Sequence, residues 1–173
     1  CGEGSECLDN NCIDLTPDGG GCGFSGDCAS GFCVDGVCCE NACDGVCEGC
    51  AVSGNKGNCV PFSGDADPQD ECPACEVCNG SSACKFVSAG LDIKNDCAAE
   101  AEQTCGFDGA CDGGGACAYW SSGTVCLAQS CSGSVAQADS FCIEEYVCAM
   151  GDKSDCCPYR CGDGAECLTE CLT

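Results

Sequence analysis

Twenty-nine of the 173 residues are cysteine, and no other feature limits so strongly what this chain can fold into. A content of one in six is far above the level that marks a disulfide scaffold. Secreted domains become this cysteine-dense when they cannot bury enough apolar surface to hold a fold. Glycine adds 26 more residues. The 45% hydrophobic fraction is inflated by sulfur and alanine, so no sizeable core can form and order has to come from cross-links. The expected fold class is small and disulfide-rich. It is a string of stapled loops and short β-hairpins with little helix and no large hydrophobic core.

Thiolate–metal chemistry is the main alternative use for so much sulfur. The sequence has no histidine. That removes mixed Cys/His zinc sites, imidazole acid–base catalysis and every triad built on imidazole. Metallothionein-like clusters belong to short, lysine-rich chains without aromatics. This chain has five basic residues and ten aromatics. Disulfides are therefore expected, with a thiolate metal-binding or electron-transfer protein as the second alternative. "CPACEVC" (Cys72–Cys78) has a C-x2-C-x2-C spacing reminiscent of iron–sulfur sites. Its fourth cysteine, Cys84, comes six positions later and no proline follows it. "CEGC" (Cys47–Cys50) and "CPAC" (Cys72–Cys75) could be redox pairs, but neither sits in a thioredoxin-like helical setting.

Cysteine spacing carries the organisation. "CGEGSECLDNNCID" and "CGFSGDCASGFCVD" share the pattern C-G-x-x-x-[DE]-C-x4-C-[IV]-D. "CEGCAVSGNKGNCVPFSGDADPQDEC" and "CEVCNGSSACKFVSAGLDIKNDC" share C-E-x-C, then a twelve-residue loop between the last two cysteines. The loops align Ser63 with Ser88, Asp67 with Asp92 and Glu71 with Asp96. "CDGGGACAYWSSGTVC" and "CIEEYVC" repeat C-x5-C. Five segments follow: 1–21 and 22–46 as C-x5-C-x4-C units, 47–74 and 75–104 as two copies of the looped unit, and 105–173 as degenerate C-x5-C units. Turn formers crowd between the cysteines. Apolar pairs such as "CVPF", "CKFV" and "CAYW" read as strands of two to four residues. The one helix-like stretch is "DCAAEAEQTC" (Asp96–Cys105), with Asp96 as its cap.

"CASGFCVDGVCCENACDGVCEGCAVSGNKGNC", "CGFDGACDGGGACAYWSSGTVCLAQSC" and "CCPYRCGDGAECLTEC" resemble the cysteine-rich tandem repeats of very long secreted proteins of the myxobacterial type. The spacing of Cys22–Cys38 is similar to the Dickkopf N-terminal cysteine motif. The resemblance spans roughly Cys22 to Cys171 and implies extracellular or cell-surface structural modules. "CPACEVC" is denser in cysteine than it implies. "ECLT" at one end and "CGEGSEC" at the other read as one period of a continuing array.

Cys22, Cys28, Cys33, Cys38, Cys47, Cys50, Cys59, Cys72, Cys75, Cys78, Cys84 and Cys97 are all expected in disulfides. A C-x4-C hairpin brings Cys22 to Cys33 and Cys28 to Cys38 within bridging range. Twenty-nine is odd, so one sulfur is left over. The expected outlet is an intersubunit bridge through Cys1, Cys167 or Cys171, ahead of lipidation at Cys1 or a free thiol.

The net charge is −24. A surface this acidic repels nucleic acid and anionic membranes. No apolar run approaches the ~20 residues of a membrane span. The acidic loops offer Asp65, Asp67, Asp70, Glu71, Asp92 and Asp96 as oxygen ligands for weakly bound Ca2+, although Gln69 and the lack of a bidentate twelfth-position Glu break the EF-hand pattern. Otherwise no cofactor is expected. Asn79 lies in an N-glycosylation sequon. Tyr119, Trp120, Phe141 and Tyr146 can fill small satellite cores or make a face for self-association. No activated nucleophile or oriented base is apparent, so we expect no enzyme. The expected function is a non-catalytic extracellular structural module, repeated or polymerised into a disulfide-stabilised filament or surface stalk. An adhesin or ligand-binding ectodomain module is the alternative.

Overall fold

The computed structural model describes residues 5–8, 11–162 and 164–169. Two compact units divide the chain, Cys1–Phe86 and Val87–Thr173. Among the described residues each is built from antiparallel hairpins of two- to five-residue strands, with no large sheet. Among the described residues the buried hydrophobic positions are almost all cysteine; only Val37, Val77, Val87 and Ala136 join them.

The hairpin is the recurring element. Its tip is the run of four or five residues between two cysteines, and the register sets those cysteines directly opposite each other. Cys33 faces Cys38, Cys78 faces Cys84, Cys111 faces Cys117 and Cys142 faces Cys148. Cys7 and Cys12 hold the same register, and Cys161 and Cys167 form an isolated bridge of the same kind. Residues 34–37 show why so short a tip works. Asp35 and Gly36 both have positive φ, 54° and 73°. Asp-Gly is well suited to such a turn, whose twist matches the strands.

Where their bridges are described, facing cysteines do not bond to each other; each reaches back to an earlier segment, and the two bridges cross. In the first unit the pairs are Cys22–Cys33 with Cys28–Cys38, Cys39–Cys50 with Cys43–Cys59, and Cys47–Cys78 with Cys72–Cys84. In the second they are Cys105–Cys142 with Cys126–Cys148, and Cys131–Cys161 with Cys156–Cys167. Every set of four is joined first to third and second to fourth. Cys97 bridges Cys117, and Cys75 and Cys111 are oxidised as well. Neighbouring cystines pack on one another: the sulfurs of Cys47 and Cys72, from different bridges, are 3.4 Å apart.

Two expectations are corrected. Cys167, expected between subunits, is bridged to Cys156 within the chain, and among the described residues the unpaired sulfur is the exposed Cys157. Cys1 and Cys171 lie outside the described residues. The stretch Asp96–Cys105 is not an α-helix; only Glu102–Thr104 forms a 3-10 turn. Cys97 and Cys105 are tied to Cys117 and Cys142, and Cys105 closes the turn with a left-handed φ of 51°. These tethers outweigh the helix propensity of Ala, Glu and Gln.

Candidate functional site

Four places in the fold repeat one hydrogen-bonding device. A hairpin cysteine donates its N–H to one loop residue and accepts at its carbonyl from the residue before it. Cys38 is held this way by Gly19 and Gly20, Cys78 by Asp65 and Ala66, Cys111 by Gly90 and Leu91, and Cys142 by Gly123 and Thr124, all at 2.8–3.0 Å. Loop and hairpin are thus locked by backbone pairing as well as by sulfur. Because the device uses only backbone groups, it tolerates the sequence drift between the copies.

The acidic loops are part of the same construction. Asp67 accepts from the N–H groups of Glu71 (2.9 Å) and Cys72 (3.1 Å). Asp92 accepts from Asp96 (2.9 Å) and Cys97 (3.1 Å) in the same way. Each aspartate closes its loop just ahead of a bridging cysteine. Glu71 accepts from the Cys47 N–H at 2.7 Å, and Asp65 pairs with Lys85 at 2.8 Å. Asp70 occupies a left-handed turn position. Of the carboxylates weighed as Ca2+ ligands, those of Asp67, Glu71 and Asp92 are therefore held by backbone amides and that of Asp65 by a lysine. Among the described residues, the groups of three close donor atoms are made of cysteines, and those cysteines are oxidised.

The C-x-x-C motifs are split between bridges. Cys47 pairs with Cys78 and Cys50 with Cys39, while Cys72 pairs with Cys84. The sulfurs of the iron–sulfur-like set are likewise held in disulfides. Among the described residues, Cys157 is the free thiol; its N–H donates to Asp155 at 3.0 Å. That contact, together with the Cys157 side chain, keeps the Asp155 carboxyl below the usual range. Asn79 is exposed at a hairpin tip, where its side-chain oxygen accepts from Ser81 N–H at 2.7 Å. Asp112 closes the corresponding tip of the next hairpin. The N–H groups of Gly114 and Ala116 lower its pKa.

The aromatics divide into two populations. Trp120 packs against the buried cluster of Cys105, Cys126 and Cys142 and donates its indole N–H to the Glu100 carbonyl at 3.0 Å. It fills the role of a core in a place built of cystine. Tyr119, Tyr146 and Phe107 cluster, with ring centroids 4.8–6.1 Å apart. The hydroxyl of Tyr146 donates to Glu100 at 3.0 Å. That bond, followed by desolvation, raises the Tyr146 pKa; desolvation, followed by the charge of Glu145, raises that of Tyr119.

Phe141 belongs to a different surface. Val125–Leu127, Ser140–Glu144 and Val147–Ala149 form a three-stranded sheet. Its alternation is inverted relative to an ordinary half-buried sheet. Ser140, Cys126 and Cys142 point inward and are buried, while Val125, Leu127, Phe141, Ile143 and Val147 point outward. Ile143 is 53% exposed and Phe141 41%. Sulfur takes the interior positions, so the aliphatic and aromatic side chains are displaced to the surface. From sequence, the apolar residues beside cysteines read as short strands, and of this face Phe141 alone was among the residues named for self-association. The sign that could have found it is the central cysteine of "FCI" and "VCL": where Cys142 and Cys126 turn inward, the residues on either side of them turn outward. The chain matches no protein-family model, no curated protein and no solved structure.

Proposed function

We propose that this chain is a non-catalytic structural module of an extracellular assembly, joined to further copies through the apolar face of its second unit into a disulfide-stabilised filament or surface stalk. The observation that carries the reading is the inverted sheet: Val125, Leu127, Phe141, Ile143 and Val147 lie outside over an interior of cystine. Exposed apolar clusters of this kind mark association sites. A disulfide-dense fold is at home in an oxidising compartment, and no helix among the described residues is long and apolar enough to cross a membrane.

The −24 charge opposes contact between copies, so association should strengthen when salt shortens the screening length from about 10 Å at 0.1 M to about 3 Å at 1 M. Ca2+ enters this reading as a weakly held counter-ion of the acidic surface. Sedimentation velocity and negative-stain imaging across that salt range, with and without Ca2+, test it. Growing or filamentous species are expected, and Phe141→Ser with Ile143→Thr should disperse them. A single 17.3 kDa species at every salt concentration would overturn the assembly reading.

A further inference from the structure

The first unit holds a cavity of about 450 Å³ whose walls include Asp35, Val52, Phe62, Ala66, Pro68 and Gln69. The cavity joins three segments that the cross-links hold in place. Asp35 comes from the hairpin tip between Cys33 and Cys38, Val52 follows Cys50, and Phe62 to Gln69 belong to the acidic loop that ends at Cys72. Its lining is largely apolar, with one carboxylate at the edge. Pockets that combine apolar walls with a few converging polar groups are the usual form of small-molecule sites.

The Asp35 carboxylate is aimed rather than loose. One oxygen accepts from the Cys50 N–H at 3.0 Å and the other from the Gln69 side-chain amide at 2.6 Å. A carboxylate offers about four acceptor positions. Two are taken, which leaves a lone pair on each oxygen. Gly49 brings this group and the aromatic ring together. A Cβ at that position would lie 2.4 Å from the Phe62 ring and 3.0 Å from Asp35 Oδ2, so the close approach of ring and carboxylate depends on glycine there. An aromatic face beside a fixed negative charge suits a cation carried on an apolar stem. No cationic side chain lines the cavity, and the net charge of −24 disfavours any anionic guest.

We propose that this cavity binds an alkylammonium or arylalkylammonium group, with the ammonium on Asp35 and the stem against Phe62, Val52 and Pro68. The site is independent of the apolar sheet of the second unit, so it stands or falls separately from the assembly reading.

The test is titration of the 15N-labelled, fully oxidised chain with benzylammonium, butylammonium, Nα-acetyl-lysine amide and the neutral benzyl alcohol. Saturable shifts of the Cys50 amide and the Gln69 side-chain amide are expected with the three cations. Benzyl alcohol should bind at least tenfold more weakly. Preference for benzylammonium would indicate a free aromatic amine as the guest, and equal binding of the lysine derivative a protein side chain. Asp35→Asn keeps a residue suited to the left-handed turn and should lower benzylammonium affinity at least tenfold. Ala66→Leu fills the cavity without touching Asp35 and should abolish binding while the oxidised mass is unchanged. Equal binding of benzyl alcohol and benzylammonium, or no shift at Cys50 and Gln69 with any cation, would overturn the proposal.

Discussion

Replacing Cys105 and Cys142 together by alanine should destabilise the second unit more than any aliphatic truncation in it. The bridge closes a loop of 37 residues. Restricting the unfolded chain over a loop of that size is worth about 4 kcal/mol. The aliphatic comparison is Val87→Ala, because Val87 is 2% exposed. Its lost transfer energy and residual cavity cost about 2 kcal/mol. The two changes therefore differ by about a factor of two. Trp120 is the sole tryptophan and packs against the buried cluster that holds this bridge, so its fluorescence reports local unfolding. With a guanidinium slope of about 4 kcal/mol/M, the midpoint should fall by about 1 M for the double variant and by about 0.5 M for Val87→Ala. If the valine truncation costs as much as the lost bridge, sulfur is not what holds the unit and the reasoning fails.

Because crossed bridges overlap along the chain, trypsin cuts after Lys56, Lys153 or Arg160 should add only the mass of water to the unreduced protein, each cut lying inside a closed loop. Release of a peptide from such a cut before reduction would contradict the pairing. Asp67→Asn and Asp92→Asn remove charge from equivalent loop clamps and should each cost about 1–2 kcal/mol, seen as faster amide exchange at Cys72 and Cys97; a change in one loop only would break the equivalence. Tyr119 and Tyr146 should ionise above the ordinary tyrosine range in an ultraviolet titration. Their folded pKa values are raised, so the stabilisation is complete below the unfolded tyrosine pKa and disappears as pH rises through the folded values. Tyr146→Phe should remove the Tyr146 step, and titration of both tyrosines at the ordinary value would exclude the Glu100 contact.

Much of the fold was legible where the chemistry is local. The C-x4-C spacing of Cys33 and Cys38 places two cysteines across a hairpin within reach of Cys22 and Cys28, and the expected crossed pairing is the one found, although reach does not by itself choose it. The same rule in the set Cys105, Cys126, Cys142 and Cys148 spans 43 residues, over which spacing gives no register. The alignment of Asp67 with Asp92 was visible, but its meaning was not. A carboxylate that binds two amides of its own loop and one that awaits an ion look alike in sequence. "CCPYRC" repeats the Cys-Cys-x3-Cys spacing of "CCENAC", yet Cys39 is bridged while Cys157 is free. Nothing in either motif distinguishes them. The helix expectation failed because propensity is a weak local preference, whereas tethers at both ends of the stretch are covalent.

The backward reach of the bridges bears on how such a chain is made. Each hairpin cysteine whose bridge is described pairs with a partner already synthesised, and the longest such look-back is 37 residues. A polypeptide threading N-terminus first into an oxidising compartment can seal each crossed quartet as its hairpin emerges, without waiting for later sequence. Oxidation then advances as a travelling front, and the number of thiols competing for partners stays small however many cysteines the finished product contains.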